Sequence, residues 1–101
     1  MVEQEHPKVL DALEIIDSAL SLPGFSPKNA SDIANELKIS QTHLDRLMIQ
    51  ETGLTLYQQI EARRFQKAQD ALIANESSLK VIAYDLGFSS PSHFISWFKQ
   101  R

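Results

Sequence analysis

The sequence predicts an all-α fold in which two small helix-turn-helix lobes are joined by one long helix. Three observations carry this. The first is a repeat: Ile33-Ala34-Asn35-Glu36-Leu37-Lys38-Ile39-Ser40, followed by His43-Leu44 and Leu47-Met48, returns as Ile82-Ala83-Tyr84-Asp85-Leu86-Gly87-Phe88-Ser89, followed by His93-Phe94 and Trp97-Phe98. The offset is 49 residues up to the turn and 50 after it, so the second turn holds one extra residue and the apolar positions stay in step. A short helix, a tight turn and a second helix with matched apolar positions form the helix-turn-helix pattern. The second observation is an unbroken helical pattern between the two copies. The third is size: 101 residues, 43% hydrophobic, suffice for compact helical packing and are too few for a large enzyme cleft.

Taken in order, Pro7 opens helix 1, with Val9, Leu10, Leu13, Ile16 and Leu20 at helical spacing and Asp11, Glu14 and Asp17 on a solvated face, over roughly residues 7–21. Leu22-Pro23-Gly24-Phe25-Ser26-Pro27 breaks the pattern and reads as a loop. Asn29 is the expected N-cap of helix 2, about residues 30–37, with Asp32 complementing the helix dipole. Ser40 caps helix 3, which ends at Gly53, a residue suited to a left-handed C-terminal cap.

Thr55 and Gln58 form the T-x-x-Q capping box of helix 4. Leu56, Ile60, Ala68, Ala71 and Leu72 then give an apolar stripe to about Ala74, a length of roughly 28 Å at about 1.5 Å per residue. Ser78 caps helix 5, Gly87 supplies a residue that accepts positive φ, and Ser90 with Pro91 opens helix 6. Ala34 and Ala83 fall where paired helices come closest, and Leu44, Leu47, Met48, Phe94, Trp97 and Phe98 are all expected to face inward.

Two helix-turn-helix units in one small chain point to a reader of two adjacent segments of duplex DNA, because successive major grooves on one face of B-DNA lie about 34 Å apart. The net charge of -3 opposes strong nonspecific binding, but its distribution is uneven. Residues 1–60 carry four basic against nine acidic side chains, and residues 61–101 carry six against four. Phosphate binding depends on the local field rather than on the total. The chain has no cysteine, no apolar run near the roughly 20 residues needed to cross a bilayer, and an acidic Met1-Val2-Glu3-Gln4-Glu5 start. A soluble, cytoplasmic protein is the expectation.

The run Arg64-Phe65-x-x-Ala68, Leu72, Ser78-Leu79-x-x-Ile82-Ala83-x-x-x-Gly87-Phe88-Ser89-Ser90-x-Ser92-His93-Phe94-x-x-x-Phe98-Lys99 resembles the DNA-binding domain of the AraC/XylS family of bacterial transcription regulators. The resemblance covers roughly residues 7–101. It implies a fold of seven helices, two helix-turn-helix lobes joined by a long helix, and a structural role for Arg64 in bracing that helix. It divides the domain, residues 1–101, into a first lobe at 7–54, a linker helix at 55–75 and a second lobe at 76–101. It also implies activation through contact with RNA polymerase, and a separate N-terminal effector or dimerisation domain in many members, while others consist of the DNA-binding domain alone. The chain departs from the family where Ser96 replaces an arginine matched by Arg46 in the first unit, where Gln59 replaces a tyrosine, and where Met48 replaces a phenylalanine. The Lys99-Gln100-Arg101 end comes before the family's last helix, which is expected to be missing here.

If helix 3 enters the major groove, Gln41, Thr42, Asp45 and Arg46 face away from its apolar stripe. Gln41 suits adenine, Arg46 guanine or a phosphate, Thr42 a thymine methyl group, and Asp45 a cytosine amine. A solvated face is the alternative, and Asp45 could equally hold Arg46 or repel phosphate. The corresponding face of helix 6 is Pro91, Ser92, Ile95 and Ser96, with Ser92 and Ser96 as its base-reading candidates. Helix 3 is therefore expected to make most base contacts. Phosphate candidates are His43, Lys80, Ser90, His93 and Lys99, together with the N-terminal amides of helices 2 and 5.

His43 and His93 occupy equivalent sites in separate lobes and lack further ligands, so neither a metal nor another cofactor is expected. No nucleophile and base pair, phosphate-cradling glycine loop or paired-carboxylate pocket supports an enzyme. The competing expectation is a helical protein-interaction module that keeps the fold and has lost DNA affinity, consistent with the acidic N-terminal half and the donor-poor helix 6.

Overall fold

The computed structural model describes residues 6–21 and 30–100, and among these it holds six α-helices and no strand. They are α1 Pro7–Leu20, α2 Ala30–Glu36, α3 Gln41–Thr52, α4 Leu56–Ala74, α5 Leu79–Asp85 and α6 Pro91–Lys99. The loop expected at Leu22 to Pro27 and the Asn29 cap lie outside the described residues.

Side-chain caps explain most of the boundaries. The Ser40, Ser78 and Ser90 hydroxyls accept the amides of His43, Val81 and His93, each three residues on. At α4 both halves of the capping box form: the Gln58 amide donates to Thr55 Oγ1 at 3.2 Å, and the Thr55 amide donates to Gln58 Oε1 at 2.9 Å. Gly53 closes α3 at φ 82 and Asn75 closes α4 at φ 52, both left-handed caps. Gly87 takes the expected positive φ of 86 in the second turn. The first turn has the same bend at Lys38, φ 59, where a non-glycine residue carries a conformational cost of about 1–2 kcal/mol.

The helices enclose two separate cores. Val9, Ala12, Ile16, Leu20, Ala30, Ile33, Ala34, Leu44, Met48, Leu56 and Ile60 form the first, and Ala68, Ile82, Ala83, Leu86 and Phe94 the second. Helix α4 belongs to both, contributing Leu56 and Ile60 at one end and Ala68 further along. Ala34 and Ala83 are each 1% exposed, as the close approach of paired helices demands. Of the six residues expected to face inward, Leu44, Met48 and Phe94 are buried, whereas Leu47, Trp97 and Phe98 are half-buried and cover the edges of their cores. Trp97 keeps its polar end in use by donating Nε1–H to Glu61 Oε1 at 2.8 Å.

The repeat also extends to a third helix that pattern-matching of the motif alone does not reach. Lys8-Val9-x-x-Ala12-x-x-x-Ile16 in α1 corresponds to Arg64-Phe65-x-x-Ala68-x-x-x-Leu72 in α4, with Ala12 and Ala68 both fully buried. A matching hydrogen bond accompanies the matching sequence. Lys8 Nζ donates to the Leu37 carbonyl at 2.7 Å, and Arg64 Nε donates to the Leu86 carbonyl at 3.0 Å. Leu37 and Leu86 are themselves repeat partners, so each turn receives a cation from the helix before it, close to a helix C-terminus where positive charge is favoured.

Two further contacts fasten α1 along α4. Arg63 pairs with both carboxylate oxygens of Asp17 at 2.7 and 2.6 Å, and Lys67 Nζ donates to the Leu20 carbonyl at the end of α1. Asp17 thus departs from the purely solvated face expected for it. The described residues extend over 44 × 29 × 23 Å.

Candidate nucleic-acid interface

Helix α3 presents Gln41, Thr42, His43 and Arg46 to solvent, while Leu44 and Met48 hold its opposite side in the first core. The Ser40 cap starts the helix so that these residues fall in its first two turns. An amide, a hydroxyl, an imidazole and a guanidinium thus stand together at the N-terminal half of α3, a set able to donate and accept at base edges.

Asp45 is not part of this exposed set. It is half-buried, and its Oδ1 accepts the Leu56 amide at the start of α4 at 3.0 Å. Asp45, a base-reading candidate from the sequence, is thus engaged at the α3–α4 junction, its carboxylate drawn sideways by an amide that the capping box leaves unsatisfied. No spacing rule in the sequence announces this bond, because it joins residues 11 apart across a turn.

Helix α6 offers Ser92, His93, Ser96 and Lys99 to solvent. Pro91 is half-buried, and Ile95, expected on the outward face, is half-buried against the second core. The physical reason is the width of the apolar stripe: Phe94, Ile95, Trp97 and Phe98 together occupy more than one side of a short helix. Ile95 and Asp45 are repeat partners 50 apart, so in both lobes this position lies on the flank of the helix rather than on its outer face.

The phosphate candidates are distributed around these two faces. Lys80 is exposed as the second residue of α5, and Lys99 is exposed in the last turn of α6. The Ser90 hydroxyl is engaged in capping, accepting the His93 amide at 3.2 Å. The His93 ring packs edge-on against Phe88, with centroids 5.4 Å apart, and its Nδ1 lies 3.5 Å from Ser89 Oγ. His43 holds the equivalent place in α3, its amide donating to Ser40 Oγ at 3.1 Å. The two histidines sit in separate lobes, and among the described residues no three His, Cys, Asp or Glu side chains form a group able to hold a metal ion.

Arg64 is built into the scaffold. The residue is 9% exposed; its guanidinium lies 4.1 Å from the Phe88 ring centroid and 5.2 Å from that of Trp97, and places Nη1 3.4 Å from Glu61 Oε2. It therefore clamps α4, the second turn and α6 together. Gln59, where the resemblance leads one to expect tyrosine, is buried and accepts Arg63 Nε–H at 3.2 Å. Among the described residues no helix is long and apolar enough to cross a membrane.

A family model described as "Helix-turn-helix domain" matches residues 33–101. With this scaffold and this pair of outward helices, the chain belongs to the AraC-type helix-turn-helix family of DNA-binding transcription regulators, which are not enzymes. Among its relatives, the HTH-type transcriptional regulator GlxA of Rhizobium meliloti is 33% identical over 95 residues, covering 94% of this chain and 28% of that protein. The HTH-type transcriptional activator RhaS of Escherichia coli is 35% identical over 73 residues, covering 72% of this chain and 26% of that protein. The chain thus spans little more than a quarter of the length of these curated relatives. The C-terminal domain of AraT, a response regulator from Geobacillus stearothermophilus, has the same architecture, with a TM-score of 0.82 and 26% identity over 97% of this chain and 78% of that one. The C-terminal domain of the response regulator yesN from Fusobacterium nucleatum shares the fold at a TM-score of 0.74 and 24% identity, covering 88% and 89%.

Proposed function

We propose that this chain is the sequence-specific DNA-reading part of a transcription activator that places α3 and α6 in successive major grooves. Helix α4 belongs to both cores, and this carries the proposal: it ties the two outward helices to one shaft, so that they can meet two turns of one duplex together. In this arrangement residues 7–54 form the first reading unit, 55–75 the connector and 76–101 the second. Gln41, Thr42 and Arg46 carry most base contacts, with Ser92 and Ser96 adding weaker ones. His43, Lys80, Ser90, His93 and Lys99 hold phosphates, the Ser90 hydroxyl by its remaining O–H. RhaS is named as an activator, which favours activation, with RNA polymerase as the protein partner.

A salt titration of binding to duplex DNA tests the proposal. Affinity should fall with a log-log slope of about -0.9 per neutralised phosphate. Arg46→Ala should weaken binding to a preferred site by about 1–3 kcal/mol, and because Arg46 is exposed it should leave stability nearly unchanged. Absence of binding at low salt refutes the proposal. That outcome favours a helical protein-interaction module instead, for which the net charge of -3 and the donor-poor face of α6 speak.

A further inference from the structure

We infer that Asp45 is a positioning residue that fixes the angle between α3 and α4, and so the spacing at which the chain accepts two DNA segments. The inference rests on the DNA-reading function proposed above. The first amides of a helix have no partner within it. At α4 the capping box satisfies Gln58 from Thr55, and the Gln59 amide bonds the Thr55 carbonyl at 2.9 Å. The Leu56 amide is satisfied from outside the helix, by Asp45 Oδ1 at 3.0 Å.

That bond spans the turn between two helices. Leu56 is fully buried in the first core, and Asp45 lies between Leu44, also fully buried, and the exposed Arg46. Leu44 and Met48 in the core decide which side of α3 faces outward, and the Asp45 carboxylate, tied to the start of α4, holds that side at a fixed angle to α4. The negative charge also sits at the positive end of α4, which strengthens the bond. The turn below it is closed by Thr52, whose Oγ1 donates to the Met48 carbonyl at 2.8 Å and accepts the Leu54 amide at 3.2 Å. Because α4 continues into the second core, the angle set at Asp45 is passed to α6.

The test uses the whole chain and duplexes enriched by the wild type from a random DNA library at low salt. Affinity is measured on an enriched duplex and on versions with one base pair added or removed between the two protected segments. The wild type should discriminate against altered spacing. Asp45→Ala should bind the enriched duplex roughly tenfold more weakly, the loss of one charge-assisted hydrogen bond, and its discrimination between spacings should shrink by a similar factor. Asp45→Asn, whose amide oxygen still accepts from Leu56, should restore the spacing discrimination. Amide exchange at Leu56, but not at Gln59, should accelerate in Asp45→Ala.

A loss of preference at one base pair with spacing discrimination intact identifies Asp45 as a base reader and overturns the inference. Unchanged exchange at Leu56 also overturns it. A wild type that enriches no duplex refutes DNA reading and the positioning role with it, and exchange at Leu56 then reports the bond separately.

Discussion

Truncating Arg64 to alanine is expected to destabilise the fold by about 3–5 kcal/mol, the range for removing one partner of a buried ion pair. The pair with Glu61 is well shielded, the two side chains being 11% and 16% exposed. Loss of the bond to the Leu86 carbonyl would by itself be worth about 1.5–3 kcal/mol, and loss of the cation over the Phe88 and Trp97 rings about 0.5–2 kcal/mol. These contributions come from the same few atoms and do not add, so the pair value stands as the expectation. At about 4–8 °C per kcal/mol for a domain of this size, the melting temperature should fall by at least roughly 12 °C.

Arg63→Ala is the internal control. Its pair with Asp17 is partly solvated, with side chains 33% and 57% exposed, and pairs of that kind contribute about 0.2–1 kcal/mol. Thermal melts followed by circular dichroism, with urea titrations to confirm an unchanged m-value, compare the two. A melting temperature for Arg64→Ala within a few degrees of that for Arg63→Ala would refute the clamp. So would a variant of unchanged stability that had lost DNA affinity, since Arg64 would then be a phosphate contact.

Gly53→Ala should cost about 1–2 kcal/mol in chemical denaturation, purely from backbone conformation, because φ is 82 and a Cβ there would meet nothing within 4 Å. Ala83→Leu should cost about 1–3 kcal/mol by overpacking the contact between α5 and its neighbours, whereas Ala74→Leu, at an exposed position, should be nearly silent in the same melt. Ser40→Ala should lower stability by about 0.5–2 kcal/mol through loss of the α3 cap, measured by urea titration.

The helices were legible in the sequence because their signals are local: serine or threonine caps at Ser40, Thr55, Ser78 and Ser90, and Gly53 and Gly87 at left-handed bends. The matched apolar positions of the repeat were legible for the same reason. Where side chains act across turns, sequence spacing says little. Lys8 reaches Leu37, Asp45 reaches Leu56 and Arg63 reaches Asp17, each through contacts that exist only once the helices have packed. The third helix of the repeat escaped because lysine in α1 stands where arginine stands in α4, and valine where phenylalanine does, at a different offset from the rest. Ile95 was misplaced because an amphipathic pattern over nine residues does not define how wide the buried side is. On the candidate interface, the outward position of Gln41, Thr42 and Arg46 followed from the inward one of Leu44 and Met48.

One helix serves as the closing wall of the first core and the opening wall of the second, and this constrains how such a molecule can change. Substitutions between Ile60 and Ala68 change the contacts made along this helix, Arg64 among them, but leave its length and phase as they are. A single inserted residue there would instead twist everything downstream by about 100° and shift it by about 1.5 Å. The two halves are thus geared to each other: lengthening this axle by one link would turn the outer face of α6 away from the direction in which that of α3 points.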